Sequence, residues 1–514
     1  MRYSTNLYLL LTSLLTAKVP PNVEAFPSSG SPAPDLSEVI DPALQRLRRL
    51  VEDFRTQPIS AAKTHQFELQ LQEQLRELGR EATCWTYNHL EPANVHALPS
   101  HVSFAVGSYT RLNEKTPQNV WTLFGQIRLW RVGYRPTDKS GEPTLFPLAM
   151  ALGLLEGASP ALAERAARFL CDSGMTQRQT LHRLRRDHGV GWGVKKLRRV
   201  TDLVSSAMAE HRHEGQVVKL LELLEQASAS KGRHKPVLSV GRDGITLGMR
   251  MKKGTVYEVA TTGTVTVLDR RGKRLATVYL AYVPQPGQAT MSQNLTRLLR
   301  DVLLRWQKSL PRLCYVTDSG DNETSYYTKV LSKMKHPSTG EKLAWIRVVD
   351  YYHASERLWT MADLLFGKGK RGTSWVRKMQ KWLLKPGGVN RVLHSAAAFR
   401  TRYDLRGGKR KEFETAYLYL RKRMKYMRYA EYRRVGVPLG SGVTEAACKT
   451  IYTQRLKLSG MRWKKSGAQS VLNLRVLHLS GVWDAVYQRV LEGSKEVKVR
   501  AQEEIHQETT EIAA

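Results

Sequence analysis

The chain has 514 residues, 41% of them hydrophobic and 25% charged, a composition typical of a soluble globular protein. At that length the prior is about three domains with ample core. Its 81 Lys+Arg against 46 Asp+Glu leave a net charge of +35, which calls for a polyanionic partner. No apolar run approaches the roughly 20 residues of a membrane span, so nucleic acid is favoured over a membrane.

The cysteines, Cys84, Cys171, Cys314 and Cys448, are far apart and form no CxxC pair. A disulfide framework and a zinc ribbon are both disfavoured, and a reducing compartment fits. Near the N-terminus, Leu7-Tyr-Leu-Leu-Leu-Thr-Ser-Leu-Leu15 behind Arg2 reads either as a short signal peptide or as an extension from an upstream start. A basic chain without disulfides fits export poorly.

Residues 1–41 are expected to be extension and linker, Pro/Ser/Gly-rich from Pro20. Residues 42–118 are a helical region, with helical apolar spacing from Ala43 to Arg80. Residues 119–230 begin with a hairpin, Val120 to Phe124 and Gln126 to Tyr134 about Gly125. Its Arg128, Arg131 and Arg135, with Trp130 and Tyr134, could meet a phosphate backbone or form the outer face of a sheet. Three helices follow: Ala161 to Cys171 behind Ser159-Pro160, Thr176 to His188, and, after Gly189-Val-Gly-Trp-Gly193, Val194 to Met208. Any small helical bundle can show that pattern, but with the net charge it reads as a helix-turn-helix. Lys195, Lys196, Arg198 and Arg199 would then meet DNA.

From residue 231 to 366 the pattern changes to strands. Pro236 to Asp243, Val256 to Ala260, Thr264 to Leu268 and Leu275 to Tyr282 form an antiparallel meander with a turn at Asp269-Arg-Arg-Gly272. A helix from Ser292 to Trp306 leads to a strand ending at Asp318. A second, from Ser325 to Met334, leads to the strand Ala344 to Asp350. The order predicts an α/β fold whose catalytic core is a ribonuclease-H-like mixed sheet, preceded by the helical and helix-turn-helix region. Residues 367–435 are a basic helical insertion with breaks at Gly367–Arg371 and Arg406–Lys409. The core resumes over 436–490, where Ser441 or Thr444 caps a helix carrying Glu445. Residues 491–514 are a charged tail.

Three carboxylates stand in marked settings: Asp243 in Val240-Gly-Arg-Asp-Gly244, Asp318 at the end of an apolar run, and Glu445 in Gly440-Ser-Gly-Val-Thr-Glu445. Phosphodiester chemistry uses two divalent ions about 4 Å apart, and Mg²⁺ takes oxygen ligands. Such a triad at a sheet edge meets that need.

At these residues the sequence resembles the DDE transposases of bacterial insertion sequences of the ISKra type, distantly Mutator-like. The resemblance rests on Pro438-Leu-Gly-Ser-Gly-Val-Thr-Glu-Ala-Ala-Cys-Lys449, Arg455-Leu-Lys-Leu-Ser-Gly-Met-Arg-Trp463, Thr317-Asp-Ser-Gly-Asp321 and Val349-Asp-Tyr-Tyr-His-Ala-Ser-Glu-Arg-Leu358. It implies that Asp243, Asp318 and Glu445 are the catalytic and metal-binding residues, with two Mg²⁺ (or Mn²⁺) ions. It also implies strand cleavage and strand transfer on double-stranded DNA at terminal inverted repeats, in a homo-oligomer at least dimeric. Such a protein would be cytoplasmic and nucleoid-associated. The alternatives are a ribonuclease-H-like nuclease without strand transfer and a decayed DNA-binding protein.

Asp350-Tyr-Tyr-His353 is similar to the family's acid-x-x-His signature. It makes Asp350 and His353 auxiliary, Asp350 as support or N-cap and His353 as phosphate-orienting group or structural cap. Asp321 is expected to cap a helix rather than replace Asp318. Arg455, Lys457, Arg462, Trp463 and Lys464 are expected on DNA phosphates. Relatives often carry a Cys pair after the hairpin; Gly133-Tyr-Arg-Pro-Thr-Asp-Lys-Ser-Gly-Glu142 has none, so no structural zinc is expected.

Overall fold

The computed structural model describes residues 35–104, 107–138, 141–252, 254–493 and 500–501. The signal-like stretch, most of the linker and most of the charged tail lie outside them. The chain divides into two compact units, Met1–Leu170 with Met175–Ala207 and Tyr487–Ala514, and Cys171–Gly174 with Met208–Val486.

In the first unit, helices α1 (Leu36–Thr56) and α2 (Ala61–Asn88) pack together, with Phe54 and Phe67 stacked at 4.2 Å. Helix α1 starts before the expected Ala43 and takes Pro42 into its interior. Three short strands, β1 (His101–Phe104), β2 (Gly107–Arg111) and β5 (Tyr134–Pro136), pair antiparallel. The hairpin is β3 (Thr116–Thr122) and β4 (Gly125–Arg131), closed where Thr122 faces Gly125. Asn88 at the end of α2 ties to β4, accepting from the Trp130 N–H at 2.8 Å and donating to the Arg128 carbonyl at 2.9 Å. Tyr134 is buried, so it belongs to the core and not to a phosphate-facing surface. After the short α3 (Pro147–Ala151) come α4 (Pro160–Cys171), α5 (Gln177–His188) and α6 (Val194–Ala229). Thr176 and Gln179 close a capping box at the start of α5, and Gly189 ends it at φ 63. Helix α6 runs past the expected Met208 into the second unit. There Val217, Leu220, Leu223, Leu224 and Ala227 give its later turns a buried face.

The second unit is built on a five-stranded sheet of β6 (Val237–Met251), β7 (Gly254–Leu268), β8 (Arg274–Tyr282), β9 (Arg312–Thr317) and β10 (Ile346–Val349). The spatial order is β10-β9-β6-β7-β8. Strands β6, β7 and β8 are antiparallel, whereas β9 and β10 run parallel to β6. The sheet is therefore mixed, as expected. Two expected strands, Val256 to Ala260 and Thr264 to Leu268, are one continuous β7, because β6 extends through Asp243 to Met251 and pairs with all of it.

Alternation along β6 and β9 assigns the faces. Leu238, Val240, Leu313 and Tyr315 join the core under α7 (Ala289–Arg305) and the later part of α6. Val237, Cys314 and Val316 join a second core with α9 (Tyr351–Phe366) and the insertion helices. The short α8 (Asp321–Lys329) follows β9. The insertion consists of α10 (Lys370–Leu383), α11 (Gly388–Arg402), α12 (Gly407–Arg423) and α13 (Tyr429–Arg434). It is broken at Gly387, φ 64, besides the expected interruptions. Helix α14 (Gly442–Cys448) returns to the sheet, α15 (Lys465–Leu479) lies along β8, and α16 (Trp483–Gly493) follows. No helix among the described residues is long and apolar enough to cross a membrane.

Candidate active site

Residues 237, 239, 241 and 243 of β6 share the sheet face on which α14 lies, and Gly241 is what lets it lie there. A Cβ at that position would collide with Thr444 Oγ1 and come 2.8 Å from Thr264 Oγ1. The two hydroxyls bond each other at 2.8 Å across this gap. Thr444 immediately precedes Glu445, so close approach of the helix brings Glu445 to the strand that carries Asp243. Asp243 sits mid-strand opposite Thr262, and not at a strand end as the sequence implied. Cys448, one turn beyond Glu445, completes the join, its thiol donating to Asp243 Oδ2 at 3.4 Å or Thr262 Oγ1 at 3.3 Å.

Asp318 follows β9 directly, and its Oδ1 accepts from the Gly320 N–H at 3.0 Å. Burial raises the Asp243 carboxyl above its ordinary range. The Gly244 N–H and the Cys448 thiol pull it back, and the charges of Asp318 and Glu445 push it further up. Asp243 therefore feels both other carboxylates, and among the described residues no Lys or Arg pairs with any of the three.

A fourth carboxylate was not foreseen. Glu323, on the first turn of α8, is 8% exposed. Its pKa is raised by burial and by Asp318 and Asp243, although Arg242 opposes the rise. A Cβ on Gly320 would lie 2.5 Å from Glu323 Oε2 and 3.6 Å from Asp318 Oδ1, so the Glu323 carboxylate curls back over the turn toward Asp318. The only sequence signal was its position five residues after Asp318. Asp321 is exposed and is the first helical residue, with Gly320 at the N-cap; the expected capping role falls away, and its charge favours the helix N-terminus instead.

Asp350 is fully buried and caps α9, Oδ1 accepting from Tyr352 N at 2.5 Å and His353 N at 3.2 Å. Its Oδ2 accepts from the Ser441 N–H and lies 2.5 Å from the Ser441 hydroxyl, which is also 3.1 Å from Glu445 Oε1. This joins the start of α9 to the start of α14. His353 is 3.1 Å from Glu445 Oε1 through Nε2 and 3.0 Å from Glu356 Oε2 through Nδ1. Burial opposes its charged form, but Glu356, Asp350 and Glu445 outweigh that and raise its pKa. The donor atoms of Asp350, His353 and Glu445 lie within 4.8 Å of one another, the tightest such trio among the described residues. Asp350 already uses both oxygens twice, which leaves it a cap and support.

The DNA-facing expectations divide. Lys195 is exposed; Arg198 bonds Gln177 Oε1 at 2.8 Å, and Arg199 pairs with Glu156 at 3.2 Å. Lys196 is half-buried and donates to the Glu156 carbonyl, so its ammonium is committed within the fold. Lys457, Arg462 and Lys464 are exposed, with Trp463 half-buried. Arg455 is corrected: it is fully buried, lies 5.3 Å over the Trp463 ring, and burial lowers its pKa to about 10. The basic insertion, whose interleaved cations and aromatics in the sequence suit a strand-binding surface or a solvated helical face, carries a basic face on α10, where Lys370, Thr373, Ser374, Arg377, Lys378 and Lys381 line a cleft of about 630 Å³. The opposite face of α10, with Trp375, Val376, Met379 and Leu383, is buried.

No family model matches the chain. A Streptococcus gallolyticus protein described as "UPF0236 protein in vanSb 3'region" is 26% identical over 376 residues, which cover 72% of this chain and 74% of that one.

Proposed function

We propose that the chain is an insertion-sequence transposase that cleaves and joins DNA strands at a two-metal site on a ribonuclease-H-like sheet. One observation carries the reading. Three carboxylates, from the central β6, the end of the adjacent parallel β9 and the returning helix α14, come together so that Asp243 feels the charges of the other two, and among the described residues no Lys or Arg pairs with any of them, His353 alone standing 3.1 Å from Glu445. Asp243 and Asp318 are half-buried without a Lys or Arg partner, which is costly, and a cation bound between them and the exposed Glu445 would remove that cost. The donors are carboxylate oxygens, which fit Mg²⁺ or Mn²⁺.

Two such ions, held by Asp243, Asp318 and Glu445, would activate the attacking oxygen and neutralise the leaving one. The remaining residues position the acids. Ser441 and His353 both reach Glu445 Oε1, which fixes that carboxylate's orientation. Asp350 fixes Ser441 in turn. Gly320 N–H and Cys448 Sγ hold one oxygen each of Asp318 and Asp243. The charge of +35 and the exposed cations of α10, Lys457, Arg462 and Lys464 would hold duplex phosphates. Work on two element ends calls for a dimer or larger oligomer.

The test is Asp318→Asn on duplex carrying the inverted repeats expected to flank the gene. The variant is expected to bind that DNA as the unaltered protein does and to lose Mg²⁺-dependent cleavage. Cleavage at the unaltered rate would refute the triad. Joining of a labelled 3′ end to a second duplex separates a transposase from a nuclease, which would cut without joining.

A further inference from the structure

We infer that the basic insertion is also a positioning device for Asp318, with Tyr419 and Arg423 of α12 holding the Asp318–Ser319 backbone in a conformation it would not otherwise keep. The inference rests on the reading of Asp318 as a metal-binding carboxylate.

Ser319 is 1% exposed and sits at φ 65, the left-handed region that a residue with a Cβ occupies at a cost. Such a conformation persists only where its surroundings over-determine it. Locally the Ser319 N–H donates to Thr317 Oγ1 at 3.2 Å and its carbonyl accepts from Thr324 Oγ1 at 3.3 Å, and stronger bonds come from about a hundred residues downstream. The Tyr419 hydroxyl donates to the Asp318 carbonyl at 2.7 Å, and an Arg423 guanidinium N–H donates to the Ser319 carbonyl at 3.0 Å. Arg347, on β10, adds a longer bond to the Ser319 hydroxyl at 3.3 Å and a shorter one to Thr324 at 2.7 Å. The two carbonyls that bracket the strained residue are thus both held from outside the turn.

The clamp is itself braced. The Tyr419 ring lies under two guanidinium groups, Arg423 at 4.3 Å and Arg357 at 5.0 Å from its centroid. Burial pushes the phenol pKa up to about 12, so at neutral pH the hydroxyl keeps the proton it donates. The carboxylate is geared to the backbone because Asp318 Oδ1 is bonded to the Gly320 N–H, on the far side of Ser319. Rotation at Ser319 therefore swings the carboxylate.

Tyr419→Phe removes one bond and little volume, and glycine at 319 adopts the same φ without strain. The experiment compares the unaltered protein, Tyr419→Phe, Ser319→Gly and the double variant. It measures Mn²⁺ affinity by calorimetry, duplex affinity at fixed salt and metal-dependent cleavage. Tyr419→Phe is expected to lower cleavage about tenfold and weaken Mn²⁺ binding several-fold, with duplex affinity unchanged. Adding Ser319→Gly is expected to bring both back to within about threefold of Ser319→Gly alone, a rescue that loss of packing would not show. Full activity in Tyr419→Phe, or no rescue by glycine, overturns the inference. If the unaltered protein neither binds Mn²⁺ nor cleaves DNA, it is the proposed function that fails.

Discussion

Replacing Gly241 with alanine perturbs the site while leaving every carboxylate in place. The added Cβ would strike Thr444 Oγ1, and its other near neighbours, Thr264 Oγ1 at 2.8 Å and Thr444 Cβ at 3.2 Å, leave no free direction. Strand β6 is held in the middle of the sheet by β7 and β9, so the start of α14 must give way. An ordinary van der Waals separation from Thr444 Oγ1 requires a retreat of roughly 1.5 Å. Overpacking of this kind costs about 1–3 kcal/mol of stability. Glu445, next to Thr444, would move with the helix, and a shift of about 1 Å at a reacting group lowers rate by up to roughly 100-fold. The assay pairs thermal unfolding with metal-dependent DNA cleavage for Gly241→Ala, Thr444→Ala and both together. Thr444→Ala alone loses its bond to Thr264, about 1 kcal/mol. In the double variant the colliding oxygen is gone, so the two losses should fall short of their sum by about 1 kcal/mol or more, with cleavage partly restored. A Gly241→Ala protein that melts and cleaves as the unaltered one does would refute the close-approach argument. Strict additivity would refute the assignment of Thr444 as the atom displaced.

The basic face of α10 makes a separate prediction. Changing Lys370, Arg377, Lys378 and Lys381 together to Gln should make the slope of log affinity for duplex DNA against log salt shallower by up to about 3.6, with the melting temperature unchanged. An unaltered slope would exclude this face from the DNA interface. In the first unit, burial holds the Glu91 carboxyl above its ordinary pKa, although the Val132 N–H at 2.8 Å, Lys115 and Arg131 pull it down. The folded chain keeps this proton where the unfolded chain has lost it, so the penalty is present at neutral pH and vanishes once both states are protonated. Glu91→Gln retains an acceptor for Val132. It should raise the melting temperature at about pH 7.5 and lose that advantage as pH falls toward about 4; an advantage independent of pH would contradict the assignment.

Much of the sheet could be read from the chain because each strand is an apolar run with a polar stop. Asp318 and Asp350 were placed at strand ends for that reason, and each follows its strand directly. The continuous β7 was harder, since Thr261, Thr262 and Thr264 look like a break until they are buried against α14 and the rest of the sheet. The true extent of α6 was hidden by Glu210-His-Arg-His-Glu-Gly215, a polar stretch ending in glycine. That Gly215 has Val486 packed where a Cβ would go, which is a tertiary fact with no local signature. Arg455 and Glu323 failed in the same way. Both carry charge, which in a sequence reads as exposure, and only the folded chain shows them buried.

The mid-strand position of Asp243 bears on how the chain tolerates change. Its place is measured by the pairing of β6 with β7, fifteen residues long on each strand, while β9 accompanies β6 only as far as Val240. Side chains alternate across a sheet, so a slip or insertion of one residue upstream of Asp243 would send the acid through to the α7 side, where Arg242 now bonds Gln288 and Ser292. A two-residue change would keep the face and move the carboxylate along the strand by roughly 6–7 Å, beyond reach of Cys448. A one- or two-residue insertion between Val237 and Asp243 is therefore expected to abolish the site's geometry.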